Sequence, residues 1–464
     1  MGLLEKVKAA GTGEYESAGK VVLAYSGGLD TSVLLGVLKE LGVEVVTLTV
    51  GLGQEEYAGQ GLEAIKEKAL ALGACGAYAV NAEDEFFSDY VSKAVQANCL
   101  YQGAYPCSTA LGRPLIAKHL VDVALAEGAS AIVHGSTGKG NDYLRFHVSI
   151  KALAPGLKVL APVRDWSFNR PEEIAYCQEA GIPVAATKKL PYSVDANLWG
   201  RSACGVAIED SLKPVPDDAL AWCVPPQAAP DSPGLVKLHF ESGVPVKAEF
   251  NGGSFEGVEM VKALNAFAGS HGVGIIDQIE DRAIGLKSRE FYECPAATVI
   301  LKAHHDLELL CLPKELNWLK PSMDQKFAEY CYAALWHSPA MAAVNAFIAS
   351  TQASVNGWVL LKLFKGNAAV IARGSPTGLY SKSVATYDAG SSFNQLDSTG
   401  FANLYALSTV SFAEMAANDQ AAASQMAVIE KPSASLGAGN AKLSSGLDKQ
   451  KSHAASVLAV CGGG

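Results

Sequence analysis

Residues 24–32 read Ala24-Tyr25-Ser26-Gly27-Gly28-Leu29-Asp30-Thr31-Ser32. They close the apolar run 21–25 and lead into residues 32–41, where Val33, Leu34, Val37, Leu38 and Leu41 recur at helical spacing. A buried strand, a tight turn and a helix are expected in that order. Two adjacent glycines let the backbone approach a phosphate closely. The hydroxyls of Ser26, Thr31 and Ser32 add donors, and the helix N-terminus adds free N–H groups and a positive dipole end. The stretch lacks the lysine of a GxxxxGK[ST] loop and the GxGxxG spacing of a dinucleotide turn. Without its context it would serve as an ordinary turn with Asp30 or Thr31 capping the helix. The strand before it and the helix after it favour phosphate binding.

Working outward, residues 43–50 form a β-branched run, and 77–80, 131–134 and 158–161 read as further strands. Residues 63–72, 83–98, 113–127 and 171–180 carry helical spacing, with Pro114 acceptable in a first turn. Alternating strands and helices imply a parallel sheet covered on both faces, an α/β fold. The grain changes after about residue 190. Residues 236–240 and 244–250 flank Ser242-Gly243 as a hairpin, and 358–364 with 368–373 form another around Lys365-Gly366-Asn367. Helical stretches at 258–268, 299–312, 324–335 and 339–351 complete a second, α+β domain. The expected organisation is an extension at 1–19, a nucleotide-binding domain at 20–187, a second domain at 188–412, and a tail at 413–464. That tail is rich in Ala, Ser and Gly and has no aromatic residue. It is expected to be partly helical (414–429) and flexible beyond 430.

Composition narrows the class. The 464 residues carry a net charge of −10, which excludes a bulk basic surface for nucleic acid or anionic lipid. No apolar run reaches the roughly 18 residues of a membrane helix, and residues 1–20 lack a signal-peptide core. Ten cysteines occur without a CxxC pair, so a zinc ribbon or disulfide scaffold is disfavoured and a reducing compartment fits. A cytoplasmic location is expected, with organelle import after loss of a leader left open. The adjacent His304-His305 diverge by about 100° on a helix and do not read as metal ligands. Cys107 reads as a small buried hydrophobe before it reads as a reactive thiol, and Lys188-Lys189 as solvated or near the nucleotide.

A second glycine-rich loop, Gly135-Ser136-Thr137-Gly138-Lys139-Gly140-Asn141-Asp142, follows the strand at 131–134. In an open parallel sheet the loops at the carboxyl ends of strands line one crevice, so both loops face one ligand. Thr137, Asn141 and Asp142 mix donors and acceptors, which suits a substrate with an amine and carboxylates. Arg145 lies three residues beyond Asp142, on one helical face with it. The same residues would also serve as a helix cap and a surface ion pair.

The segment SGGLDTS resembles the pyrophosphate-binding loop of N-type ATP pyrophosphatases. With YPCSTALGRPLIAKHLVD, HGSTGKGND, KVLAPVRDW, PYSVDANLWGRS, GVPVKAEF and HGVGIID following in order, the chain resembles the argininosuccinate synthase family from about 20 to 410. The resemblance implies a nucleotide-binding domain, a synthetase and multimerisation domain, and a homotetramer. It also implies the ligation of citrulline and aspartate, with ATP cleaved to AMP and pyrophosphate through a citrullyl-AMP intermediate. That reaction belongs to arginine biosynthesis and to the urea cycle where one exists. The resemblance assigns ATP contacts to residues 24–32, Val50 and Gly135, and aspartate contacts to Thr137, Asn141 and Asp142. Citrulline contacts fall on Tyr105, Asn141, Arg145, Ser193, Ser202, Glu280 and Tyr292. Asp142, Asn141 and Arg145 are expected at the centre of the chemistry, and Mg²⁺ is expected to join Ser26 and the Gly27–Gly28 backbone on the pyrophosphate. No resident metal site is expected. On their own, Ser193 and Ser202 read as turn serines, and Glu280 as a surface partner of Arg282 or Lys287. Departures from the family pattern are Val50, Cys107-Ser108, Ala110, Tyr143, His147, Asp281, Cys294 and Ala297, the last of which is expected to disturb a turn.

Overall fold

A computed structural model describes residues 2–57, 59, 61–183, 192–387 and 390–429. The chain up to Tyr380 forms one compact unit, and a second begins at Ser381. The 187/188 boundary, Lys188-Lys189 and the segment from 430 onward lie outside the described residues.

The first sheet consists of β1 (Lys20–Ala24), β2 (Glu44–Gly51), β3 (Gly76–Asn81), β4 (Ala131–Val133) and β5 (Lys158–Leu160). All pairs are parallel, in the order β3-β2-β1-β4-β5. β1 is central, and Val21, Val22 and Leu23 are fully buried, as expected for a strand covered on both faces. The chain runs outward from β1 through β2 to β3, then crosses to β4 on the other side. The crevice for a ligand therefore opens at the carboxyl ends of β1 and β4. Helix Leu29–Glu40 buries Val33, Leu34, Leu35, Val37 and Leu38 against the sheet.

The first 19 residues are more than an overhang. Helix Leu3–Ala10 buries Leu3 and Val7, and Tyr15 packs on Trp166 with ring centroids 4.4 Å apart. The helix expected at 113–127 begins earlier, spanning Ser108–Ala126, so Pro114 lies inside it and not in its first turn. Cys107 opens that helix from the left-handed region at φ 58°.

Beyond the gap come β6 (Ser193–Asn197), β7 (Gly200–Cys204), β8 (Gly234–Glu241), β9 (Val244–Phe250), β10 (Gly253–Glu256), β11 (Ile275–Asp281), β12 (Lys287–Glu293), β13 (Gly357–Phe364) and β14 (Asn367–Gly374). Both expected hairpins are present, in an antiparallel sheet of order β10-β9-β8-β13-β14. Helices Gly257–Ser270 and Pro295–Cys311 bury their apolar faces in the same region. The four-stranded sheet β11-β12-β7-β6 was not expected from the sequence. Its strands alternate polar residues with scattered apolar ones, which hides the usual strand signature. One continuous core joins Val22 and Leu48 of the first sheet to Val236, Leu238 and Phe240 of the second.

The second unit contains the helix Asp397–Ile429, 33 residues long, which absorbs the helix expected at 414–429. No helix among the described residues is long and apolar enough to cross a membrane.

Candidate active site

The loop after β1 is shaped by its own short side chains. Gly27 sits at φ 76°, where a Cβ would stand 3.1 Å from the Ile65 side chain. The Ser26 and Thr31 hydroxyls lie 3.1 Å apart, and the Gly28 N–H points at Ser26 Oγ at 3.4 Å. Lys68 Nζ donates to the Gly27 carbonyl at 2.7 Å, and burial lowers the pKa of this ammonium. Tyr25 turns into the core, its hydroxyl 3.2 Å from Ser32 Oγ, and Thr49 donates to the Tyr25 carbonyl at 2.6 Å. A cavity of about 460 Å³ opens over this loop. Of the expected nucleotide contacts, Ala24, Tyr25, Ser26, Gly28, Leu29, Asp30, Thr31, Val50 and Gly135 line it. Gly27 and Ser32 do not line it. The two glycine loops do meet: a Cβ on Gly135 would lie 3.7 Å from Thr31 Cγ2.

Asp30 lines this cavity, and its charge acts on the carboxyl of Glu173. Burial, reinforced by the Asp30 charge, pushes the Glu173 carboxyl up to about 7. His134, at the end of β4, also lines the cavity, and its ring stacks on Phe146 at 5.2 Å. Burial lowers its imidazole to about 4, so it is neutral, and its buried Nε2 has no partner among the described residues.

A neighbouring cavity of about 410 Å³ is lined mainly by polar and charged side chains. Thr137, Asn141, Asp142, Arg145, Ser193, Ser202, Glu280 and Tyr292 all line it. The four-stranded sheet explains the gathering. Ser193, Asp195, Ser202 and Cys204 sit at alternate positions of the β6–β7 hairpin, in register Ser193 with Cys204 and Asp195 with Ser202. Tyr292 pairs with Ser202, and Glu290 and Glu280 follow at even spacing on β12 and β11. With side chains alternating between faces, one face is polar and turned to the cavity. The other carries Ala203 and Phe291 into a small apolar cluster. Ser193 and Ser202 are thus strand residues, which corrects their reading as turn serines. Tyr105 does not line the cavity. It is buried, accepts from the Thr109 N–H at 2.9 Å and stacks on Tyr292 at 3.9 Å, supporting the wall from behind.

Asp142 accepts from Arg113 Nε at 3.0 Å and Nη2 at 2.8 Å, and from Arg145 Nη1 at 3.1 Å. Burial pushes its carboxyl up, but the two guanidiniums outweigh this and hold it below the usual carboxylate range. Arg113 also bonds Asp195. Arg113, Gly135, Ser136, Asp142 and Asp195 line both cavities, so the two are adjoining.

Glu280 is 1% exposed and accepts from Tyr292 at 2.8 Å, Gln278 at 3.0 Å and Tyr332. Burial raises its pKa, and these three hydrogen bonds oppose the rise. Its surface pairing with Arg282 or Lys287 does not occur: Arg282 bonds Glu290 at 2.9 Å and Lys287 bonds Asp281. Asn141 donates to Tyr332 Oη at 2.8 Å and accepts from the Ala283 N–H at 3.0 Å. Arg145 lies 4.9 Å from the Tyr332 ring centroid, and its buried Nη2 has no partner among the described residues.

Arg113, Asp195, Tyr332, Lys68 and His134 were not singled out from the sequence. Arg113 stands in the quoted GRPLIAK segment, and His134 opens HGSTGKGND, so a signal was present for both. Tyr332 and Lys68 lie in ordinary helical stretches with none. Among the departures, Ala297 falls within the first turn of helix Pro295–Cys311, so no local turn is disturbed there. Cys294 packs where a Cβ on Gly200 would come within 2.5 Å of its sulfur. Tyr143 stacks under Arg164, whose Cζ lies 4.8 Å from the ring centroid.

Residues 20–183 match the model of the argininosuccinate synthase N-terminal HUP domain, and residues 192–412 match that of the C-terminal domain. The chain is 51% identical over 388 residues to an argininosuccinate synthase of Rubrobacter xylanophilus, covering 84% of this chain and 93% of the relative. It is 49% identical over 391 residues to that of Geobacillus thermodenitrificans, covering 84% and 95%. Against that of Bacillus cytotoxicus it is 48% identical over 397 residues, covering 85% and 97%.

Proposed function

The chain belongs to the argininosuccinate synthase family, and we propose that its two adjoining cavities carry out the ligation of citrulline and aspartate at the expense of ATP. The carrying observation is the shared wall at Arg113, Asp142 and Asp195. A nucleotide over the β1 loop and an amino acid beside Arg145 would present their reacting atoms to each other across it.

In the first step the citrulline ureido oxygen attacks the α-phosphorus. An O–P bond forms, the bond to the β-phosphate breaks, and pyrophosphate leaves. In the second step the aspartate amine attacks the ureido carbon, the C–O bond breaks, and AMP leaves. The first step demands alignment and charge neutralisation more than covalent help. Residues 24–32, with Val50 and Gly135, hold ATP in this reading. Arg113, already at the junction, faces the charge that develops at the α-phosphate.

Thr137, Asn141 and Asp142 receive aspartate. Asp142 is held ionised by two guanidiniums, so it attracts the aspartate ammonium and is a weak proton acceptor; orientation is its role. Arg145 offers its free Nη2 to the citrulline carboxylate. Glu280, held by Tyr292 and Tyr332, receives the citrulline ammonium, with Ser193 and Ser202 on the adjoining wall and Tyr105 behind.

Mg²⁺ belongs to the same proposal. Asp30 and the Ser26 and Thr31 hydroxyls form a hard oxygen set on the nucleotide cavity, of the kind that takes Mg²⁺ together with phosphate oxygens. When bound, it supplies charge neutralisation for the departing pyrophosphate. A homotetramer is part of the reading. Its support is helix Asp397–Ile429, where Phe401, Leu404, Tyr405 and Leu407 are exposed. A cytoplasmic setting, in arginine biosynthesis, accords with the bacterial relatives.

The test is release of AMP and pyrophosphate by purified protein with ATP and Mg²⁺. Release together with argininosuccinate, only when both amino acids are present, is expected. ATP binding by the folded protein with no turnover would overturn the ligase reading.

A further inference from the structure

Three cysteines that the ligation does not use meet beneath the amino-acid cavity. Cys99 follows helix Ser92–Gln96, Cys107 opens helix Ser108–Ala126, and Cys331 is the penultimate residue of helix Lys314–Tyr332. Their sulfur atoms all lie within 4.8 Å of one another, and none of the residues exceeds 2% exposure. Among the described residues no histidine or carboxylate joins the group.

Geometry and donor chemistry select what such a cluster takes. Three sulfurs about 2.3 Å from a common ion stand about 4.0 Å apart, so a contraction below about 1 Å closes the triangle. A disulfide needs its two sulfurs at about 2.05 Å, a larger movement in a packed core. Structural zinc takes four ligands, and a buried site with three donors supplies neither a fourth residue nor access for water. Magnesium and calcium require oxygen ligands. Soft thiolates without oxygen or nitrogen donors favour a soft monovalent ion. The Arg145 guanidinium acts on both Cys107 and Cys331 and offsets part of the thiolate charge.

We propose that Cys99, Cys107 and Cys331 form a trigonal thiolate site for one soft monovalent cation, with Cu(I) as the probe. Binding joins three thiolate sulfurs to one Cu⁺ in a complex of charge −2; each sulfur that carries a proton releases it, and no oxidation state changes. Burial pushes the Cys99 and Cys107 thiols up, so both carry protons until a cation displaces them. The site lies next in sequence to Tyr332 and two residues from Tyr105, both of which brace the cavity wall.

The experiment titrates the reduced full chain, without oxygen, with Cu(I) held by a chromophoric chelator. One equivalent is expected to leave the chelator and give a near-ultraviolet thiolate-to-copper band. C107S and C331S are expected to lose that equivalent, while C75S, altered at an exposed cysteine, keeps it. A second measurement needs no variant: alkylation of the loaded chain in mild denaturant, mapped by mass spectrometry, should spare Cys99, Cys107 and Cys331 together. Equal uptake by C107S, C331S and the unaltered chain, or protection falling on other cysteines, would overturn the proposal.

Discussion

The loop proposed to hold phosphate and the cavity proposed to hold the amino acids sit side by side but are made differently. The loop gathers backbone N–H groups and short hydroxyls from nine consecutive residues, 24–32. The cavity gathers charged and phenolic side chains from β6, β7, β11, β12 and two helices, with bonds such as Asn141 to Tyr332 spanning 191 positions. A backbone cradle fails when the chain cannot adopt its path. A side-chain cavity fails when one member leaves a buried partner unsatisfied. The first failure should touch the nucleotide alone, and the second should spread.

The sharpest test of that contrast is Asp142→Ala, since Asp142 satisfies Arg113 and Arg145 together. Removing a partly buried carboxylate leaves two guanidiniums repelling each other, and kcat/KM is expected to fall by ~10³-fold for all three substrates. A loss confined to aspartate would break the claim that both cavities share this wall. Next is Glu280→Gln, which keeps shape but not charge. The KM for citrulline should rise by roughly 10–100-fold, while that for ATP stays within about twofold. Equal changes in both would merge the two regions energetically.

Gly27→Ala is the reciprocal case. It forces a side chain into φ 76° and against Ile65. At about 1–2 kcal/mol of strain, ATP binding should weaken roughly 10-fold, with citrulline affinity by calorimetry unchanged. The smallest effect concerns pH. The Glu173 carboxyl is raised from 4.5 to about 7, mainly by burial and then by Asp30. The folded chain therefore holds this proton more tightly than the unfolded chain does. That stabilisation is complete below pH 4.5 and is lost as pH rises through about 7. Glu173→Gln should flatten the fall in thermal midpoint across this window. An unchanged pH profile would remove Glu173 from the loop's electrostatics.

The same contrast explains what the sequence disclosed. The strand–loop–helix at 21–41 was legible because its chemistry is contiguous and its neighbours have clear periodicity. The hairpins of β8–β9 and β13–β14 were legible from their glycine turns. The sheet β11-β12-β7-β6 was not, because its inward face is polar: Ser193, Asp195, Ser202 and Glu280 alternate with modest apolar residues, the reverse of a core strand. Family resemblance named four of the residues on that sheet, whereas physical reading alone left Ser193 and Ser202 as turns and Glu280 on the surface. Tyr332 stayed hidden for another reason. Its partner Glu280 lies 52 positions away in sequence, and a lone Tyr on a helix announces nothing.

The central claim is that the ureido oxygen of citrulline reaches the α-phosphorus across the wall shared by the two cavities. Citrulline labelled with ¹⁸O at the ureido oxygen tests this in a single turnover with ATP and aspartate. The account predicts that the label appears in the phosphate of AMP and not in pyrophosphate. Unlabelled AMP, or label in pyrophosphate, would contradict it.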